Sequence, residues 1–176
     1  MGTAIINFSN FIDGIDGLLS STMFFVFINI IFINKSTYLI PIIGSIFAFY
    51  FFNKTPAKVF MGDIGSTFLG SLFFFEIIRA NNLYDAFMIF SVSFPIMSDA
   101  FLCVIRRYIN NENIFRPHNK HLYQRLVKSG YSHTKVTTIY SIACIIILLT
   151  CFTGNTIMIL FSLLLITIFG IIMDKN

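Results

Sequence analysis

The sequence predicts an all-α membrane protein, a polytopic bundle of about six spanning helices with both termini on the cytoplasmic side. Three observations lead there. The 176 residues are 56% hydrophobic and 11% charged, where a soluble domain is about 45–50% apolar and about 25% charged. Apolar runs of near-spanning length recur along the chain. The basic residues gather in alternate loops. A mean hydropathy of +0.82 leaves too little polar surface for a water-facing globule, a disordered tail or a fibre.

The apolar runs cover about 18–34, 38–52, 64–79, 86–105, 136–152 and 155–173. A spanning helix needs roughly 20 residues, so the second and third runs must borrow from their flanks. None alternates with the period of a barrel strand, and no linker or repeat marks a second domain. The segments 1–17, 53–63, 106–135 and 174–176 hold Lys54, Lys58, Arg106, Arg107, Arg116, Lys120, Arg125, Lys128, Lys135 and Lys175. Only Lys35 and Arg79 fall in the intervening loops. The positive-inside rule makes the first set cytoplasmic. The net charge of +4 is thereby explained by topology, without a nucleic-acid partner. Residues 1–9 show no cleavable signal. Cys103, Cys144 and Cys151 lie inside apolar runs without metal or disulfide spacing, and read as buried small hydrophobes.

Three polar segments fall on that one face: 7–17, 52–66 and 116–126. In the first, Asn7, Asn10, Asp13 and Asp16 recur every three residues, which lines four oxygen-bearing side chains along a helical or 3₁₀-like turn. Gly14 and Gly17 allow tight turning or close approach. Such oxygens suit a hard cation with phosphate completing its shell, but an Asn/Asp/Gly turn that merely starts the next helix fits equally. In the second, Asp63 between Gly62 and Gly65 reads either as a helix cap or as a metal ligand beside a phosphate-binding helix start. Phe60 offers a ring face to a base, or simply packs. In the third, Arg116, His118, Lys120, His121 and Arg125 suit a diphosphate-like anion, or lipid head groups. His118 and His121 lack, in the sequence, a cysteine or carboxylate pair that would complete a transition-metal site. Inside the spans, Asp99 and Glu76 are functional candidates by their position. Asp99 reads as an anchor for Arg106 or Arg107, or as part of an ion path.

Together the segments resemble the polyprenyl-phosphate N-acetylhexosamine-1-phosphate transferase superfamily, which includes the O-antigen- and teichoic-acid-initiating enzymes and the phospho-MurNAc-pentapeptide translocase. The matching residues are Asn7, Asn10, Asp13-Gly14 and Asp16-Gly17-Leu18; Phe52-Asn53, Pro56-Ala57, Phe60-Met61-Gly62-Asp63 and Gly65-Ser66; and Arg116, His118 and His121-Leu122. Pro95, Asp99 and Arg106-Arg107 also match. The resemblance implies transfer of an N-acetylhexosamine-1-phosphate from a UDP-sugar to polyprenyl (undecaprenyl) phosphate, with release of UMP, at the cytoplasmic face of the inner membrane. It implies Mg²⁺ as cofactor, with Mn²⁺ as a substitute. It makes Asp63 the main metal ligand and Asn10 a second. Asp13, Asp16, His118 and His121 would be catalytic. Asn7, Gly14, Asn53, Phe60 and Arg116 would bind substrate, with Gly14, Asp16, Asn53 and Phe60 near the uracil.

Two departures stand out. Lys120 occupies a place where the family often has another histidine, which favours the O-antigen-initiating branch. The family's adjacent Asp-Asp pair has no counterpart, and six spans compare with about ten or eleven. The 176 residues therefore read as one membrane domain, the C-terminal portion of a larger enzyme, whose missing half or a second copy would be a partner. An inactive fragment of the family is the alternative. A small transporter built on Asp99 and Glu76 is disfavoured, because the polar residues sit at one face and not at the midplane. A CDP-alcohol phosphotransferase is set aside, because the Ala-Arg step of its motif is missing after Asp13-Gly14.

Overall fold

The computed structural model describes residues 2–113, 116 and 118–175, with the Lys175 side chain excepted. Met1, Pro117 of the third segment and the Lys175 charge lie outside the described residues. The described residues form nine α-helices and one 3₁₀ turn, with no strand among them. The helices are α1 (Gly2–Ile12), α2 (Leu18–Asn34), α3 (Ile40–Asn53), α4 (Gly62–Ile78), α5 (Leu83–Val92), α6 (Phe94–Ile109), α7 (Leu122–Lys128), α8 (His133–Phe152) and α9 (Thr156–Lys175). The 3₁₀ turn, Thr37–Leu39, leads into α3.

Helix α2 is the axis of the bundle. It packs on α3, α5 and α8, and Leu18, Leu19, Met23, Val26, Phe27 and Ile30 are fully buried. Several of its polar groups are satisfied inside the bundle, as an apolar medium demands. Thr22 Oγ1 donates to the Leu18 carbonyl at 2.8 Å, and Asn29 Nδ2 donates to the Met88 carbonyl at 2.8 Å. The periphery is apolar and exposed, at Phe47, Phe51, Ile64, Leu83, Ile157 and Phe161 for example. That is the surface expected against lipid tails.

Two helices, His133–Phe152 and Thr156–Asp174, are long and apolar enough to cross a membrane. The run expected as one span over 86–105 is broken. Helices α5 and α6 meet at an angle of 82°, and count as a third span only if taken together. Pro95 explains the break, because a residue without an N–H fits the first turn of a new helix and not the middle of a long one. The apolar helices over Leu18–Asn34 and Thr37–Asn53 are shorter than a full span.

The helical reading of the first segment holds as far as residue 12. Residues 2–12 are helical, and α1 runs antiparallel along α4. Asn10 meets Ser66, Ser9 and Ile6 meet Gly70, and Gly2 meets Phe74. A Cβ on Gly70 would stand 2.9 Å from Ser9 Oγ and 3.0 Å from Ile6 Cα, so the close crossing depends on that glycine. Phe74 lies twelve residues into α4, about 18 Å from its start at 1.5 Å per residue. Gly2 therefore lies well along α4 from the end of the bundle that holds the 13–17 turn.

Candidate active site

The three polar segments converge at one end of the bundle. Asp16 joins the first to the second: its Oδ2 accepts from the Ala57 N–H at 3.2 Å. It also reaches α8, where His133 Nδ1 stands 3.5 Å from Asp16 Oδ1 and Thr137 Oγ1 donates to the Asp16 carbonyl at 2.8 Å. Tyr123 joins the third segment to the first, its hydroxyl donating to the Phe11 carbonyl at 2.9 Å. Asp174 ties the end of α9 to Arg106 at 2.6 Å and to Arg125. The opposite end gathers the intervening loops. There buried Glu76 accepts from Asn34 Nδ2 at 2.9 Å, from Ser36 Oγ at 3.0 Å and from the Tyr38 hydroxyl, and pairs with Arg79 at 3.4 Å.

At the converging end, the stripe of Asn7, Asn10, Asp13 and Asp16 does not remain one face. Asn7 and Asn10 ride on α1, while Asp13 and Asp16 lie in the turn that follows and point to different neighbours. Asn7 is exposed. Asn10 Nδ2 donates to Asp63 Oδ1 at 3.0 Å and to Ser66 Oγ at 2.9 Å. Asn10 thus presents its NH₂ to Asp63, so it orients that carboxylate and does not share a cation with it. Asp13 occupies the second ligand position better. It accepts a hydrogen bond from the Gly62 N–H and lies close enough to feel the Asp63 charge. Burial, reinforced by Asp63 and opposed by that hydrogen bond, pushes the Asp13 carboxyl up to about 6. Two neighbouring carboxylates fit the donor set of a hard dication, so Asp13 and Asp63 suit Mg²⁺.

Two expected substrate contacts have structural partners. A Cβ on Gly14 would overlap the Tyr123 hydroxyl, so the close approach that this glycine permits is to Tyr123. Asn53 is buried, and its Oδ1 accepts from the Gly17 N–H at 3.2 Å and Ser20 Oγ at 2.8 Å while its Nδ2 donates to the Val59 carbonyl at 3.0 Å. It locks the 53–62 loop onto the start of α2. Gly17 itself has φ +74°, a conformation that favours glycine. Phe60 is 72% exposed and Arg116 is exposed, so both are available to a ligand.

Asp99 is neither the anchor of Arg106 and Arg107 nor a free ion-path group. Its Oδ1 accepts from the Leu122 N–H at 2.7 Å, and its Oδ2 accepts from the Tyr123 N–H at 3.2 Å and the Tyr140 hydroxyl at 2.7 Å. It caps α7 from a neighbouring helix. Arg106 pairs with Asp174, and Arg107 with Glu112 at 3.4 Å. With Asp99 and Glu76 both engaged, the transporter reading loses its two residues.

The Asp99 cap brings His121 inward. The ring is 3% exposed and stacks between His118, 5.0 Å away, and Tyr123, 5.7 Å away. Burial alone would lower its pKa, but the Asp99 carboxylate, 3.8 Å from Nδ1, and Cys103 outweigh this and push the imidazole up to about 9. His133 and Cys103 are the neighbours the sequence did not flag. His133 follows Ser132, whose Oγ accepts from the Lys135 N–H at the start of α8, and that cap was its only signal.

Against known proteins, residues 1–81 match the model of glycosyl transferase family 4. The chain is 36% identical to a probable undecaprenyl-phosphate N-acetylglucosaminyl 1-phosphate transferase of Bacillus subtilis, over 80% of this chain and 43% of that protein. It is 28% identical to a decaprenyl-phosphate N-acetylglucosaminephosphotransferase of Mycobacterium tuberculosis, over 77% of this chain and 41% of the relative. Over 36% of this chain it is 44% identical to a phospho-N-acetylmuramoyl-pentapeptide-transferase of Bacillus cytotoxicus, of which it covers 22%. Residues 1–81 thus resemble glycosyl transferase family 4, and the longer matches are to polyprenyl-phosphate N-acetylglucosamine-1-phosphate transferases. The chain spans about two fifths of the length of the first two of these relatives.

Proposed function

We propose that this chain carries the phosphate-handling end of an enzyme that transfers an N-acetylhexosamine-1-phosphate from a UDP-sugar to polyprenyl phosphate. The observation that carries the reading is the convergence of Asp13, Asp63, His118 and His121 at one end of a lipid-facing bundle. An oxygen of the polyprenyl phosphate attacks the β-phosphorus of the UDP-sugar. The bond from that phosphorus to the bridging oxygen breaks, UMP leaves with that oxygen, and a polyprenyl-diphospho-sugar stays in the membrane. Asp63 and Asp13 would hold Mg²⁺, which supplies neutralisation of the diphosphate charge. Asn10 and the Gly62 N–H orient those two carboxylates. Exposed Arg116 and Lys120 attract the diphosphate, with His118 and His121 beside them. The acceptor is already an anion near neutral pH, so attack requires positioning more than proton removal.

The topology belongs to the same proposal. Ten of the twelve lysines and arginines sit in the segments of the converging end, which the positive-inside rule puts in the cytoplasm. Six crossings follow if α2, α3, α4, the bent α5–α6 pair, α8 and α9 each traverse the inner membrane. The donor is then a cytoplasmic UDP-N-acetylhexosamine, and the product serves cell-envelope polysaccharide assembly, O-antigen and lipopolysaccharide among them.

UMP release tests the reaction. Membranes containing the chain, given UDP-N-acetylglucosamine and undecaprenyl phosphate, are expected to release UMP only with Mg²⁺ or Mn²⁺. Asp63→Asn and Asp13→Asn should each lower the rate at least about 100-fold, the scale of losing a principal charge-stabilising group. Release that ignores the lipid acceptor, or that survives Asp63→Asn, would sink the proposal.

A further inference from the structure

The strongest unassigned feature is a cluster of soft and borderline ligands that the fold assembles from two distant segments. Cys103 comes from α6, and His118 and His121 from the loop before α7. One ligand atom from each lies within 4.8 Å of the other two. Cys103 is 4% and His121 3% exposed. Sequence spacing does not pair them, because Cys103 and His118 lie fifteen positions apart. Only the capping of α7 by Asp99, four residues before Cys103 on α6, brings the third segment over the thiol.

We infer that Cys103, His118 and His121 form a binding site for a zinc-type transition-metal ion, with one coordination position open. A thiolate and two imidazoles are a borderline-to-soft set that suits Zn²⁺ and not Mg²⁺. Tetrahedral bonds of about 2.0 Å to nitrogen and 2.3 Å to sulfur put ligand atoms about 3.3–3.8 Å apart. Separations within 4.8 Å need to shorten by at most about 1.5 Å to reach that. His118 is half-buried in the loop.

A second observation points the same way. His121 Nδ1 is buried with no hydrogen-bond partner. A buried unpaired polar atom is costly, and metal ligation at this ring would justify burying it. Cys103 also borders a cavity of about 220 Å³ with Arg106, Arg107, Glu112, Lys120 and Arg125. The cations there are offset by Glu112, which pairs with Arg107 and Lys120, and by Asp174, which pairs with Arg106 and Arg125.

Zn²⁺ bound to one thiolate carries a net charge of +1, so the locus remains attractive to a phosphate oxygen at the open position. This site shares no residue with the Asp13–Asp63 pair but shares His118 and His121 with the proposed diphosphate-binding end, so its metal binding is read directly and not through the transfer reaction.

The test uses the full chain in detergent, stripped with chelator and titrated with Co²⁺ as a spectroscopic substitute for Zn²⁺. One Co²⁺ per chain is expected to bind, with a thiolate-to-cobalt charge-transfer band that Zn²⁺ then abolishes. Cys103→Ser should remove the band, while Cys144→Ser and Cys151→Ser keep it. His118→Ala and His121→Ala should each weaken Zn²⁺ binding by more than about 100-fold, beyond the 10–100-fold typical of losing an outer-shell partner. Retained α-helical circular dichroism shows that the variants fold. Absence of the band at saturating Co²⁺, its persistence in Cys103→Ser, or Zn²⁺ affinity unchanged in both histidine variants would overturn the inference.

Discussion

Asp13 is the residue whose environment runs most against its charge. A carboxyl raised from 3.8 to about 6 binds its proton more tightly in the folded chain than in the unfolded one. Its contribution to stability is therefore fully present below pH 3.8 and is lost as pH rises through about 6. At pH 7.5 and without divalent metal, Asp13→Asn should stabilise the fold by about 1 kcal/mol, after discounting for a side chain that is only partly buried. The gain should vanish near pH 4, and Mg²⁺ should stabilise the parent but not the variant. Thermal denaturation with and without EDTA reads both effects. Gly14 makes a different demand. Gly14→Ala would drive a methyl group into the Tyr123 hydroxyl and should cost about 1–3 kcal/mol, the usual range for overpacking. Tyr123→Phe in the same chain should recover part of that loss, whereas full independence of the two changes would contradict the contact.

Among the elements, α7 depends most on a single side chain. Asp99 accepts two backbone N–H groups at its start and is steadied by Tyr140. Asp99→Asn replaces a charged acceptor by an amide and should cost about 1–3 kcal/mol. Amide exchange at Leu122 and Tyr123 should accelerate while exchange within α2 stays slow. Equal acceleration everywhere would mean that Asp99 supports the bundle and not α7. This role could not be read from the sequence, since an acid inside an apolar run signals only that some partner exists. Arg106 and Arg107 were the nearest partners along the chain, yet the actual ones lie 23 to 41 residues away. The break between α5 and α6 was legible in Pro95, but a window that averages hydropathy over 86–105 passes straight across it. Helix α1 was obscured for the opposite reason: its asparagines and serine mask an apolar face, and burial comes from α4 and α6. Asn10 shows how much hangs on orientation. Its type and spacing allowed a metal ligand, while the structure turns its NH₂ toward Asp63.

At the scale of the molecule, the sorting of charge into alternate segments foretold which loops meet. Asp16, Tyr123 and Asn10 link the three polar segments at one end, and Glu76 organises the other. A cysteine introduced at Lys58 or Lys128 should react with a membrane-impermeant maleimide only after inverted vesicles or permeabilised cells expose the cytoplasmic face. One introduced at Leu83 should react in intact spheroplasts, and the reverse pattern would invert the proposed topology. Identity to the relatives covers about two fifths of the first two, so the chemistry itself needs the most direct observation. That measurement is the fate of the β-phosphorus. With UDP-N-acetylglucosamine labelled at the β-phosphate, the account predicts Mg²⁺-dependent movement of the label into the polyprenyl-lipid fraction, lost in Asp63→Asn. Label that remains water-soluble with acceptor and Mg²⁺ present, or that reaches the lipid equally well in Asp63→Asn, would contradict it.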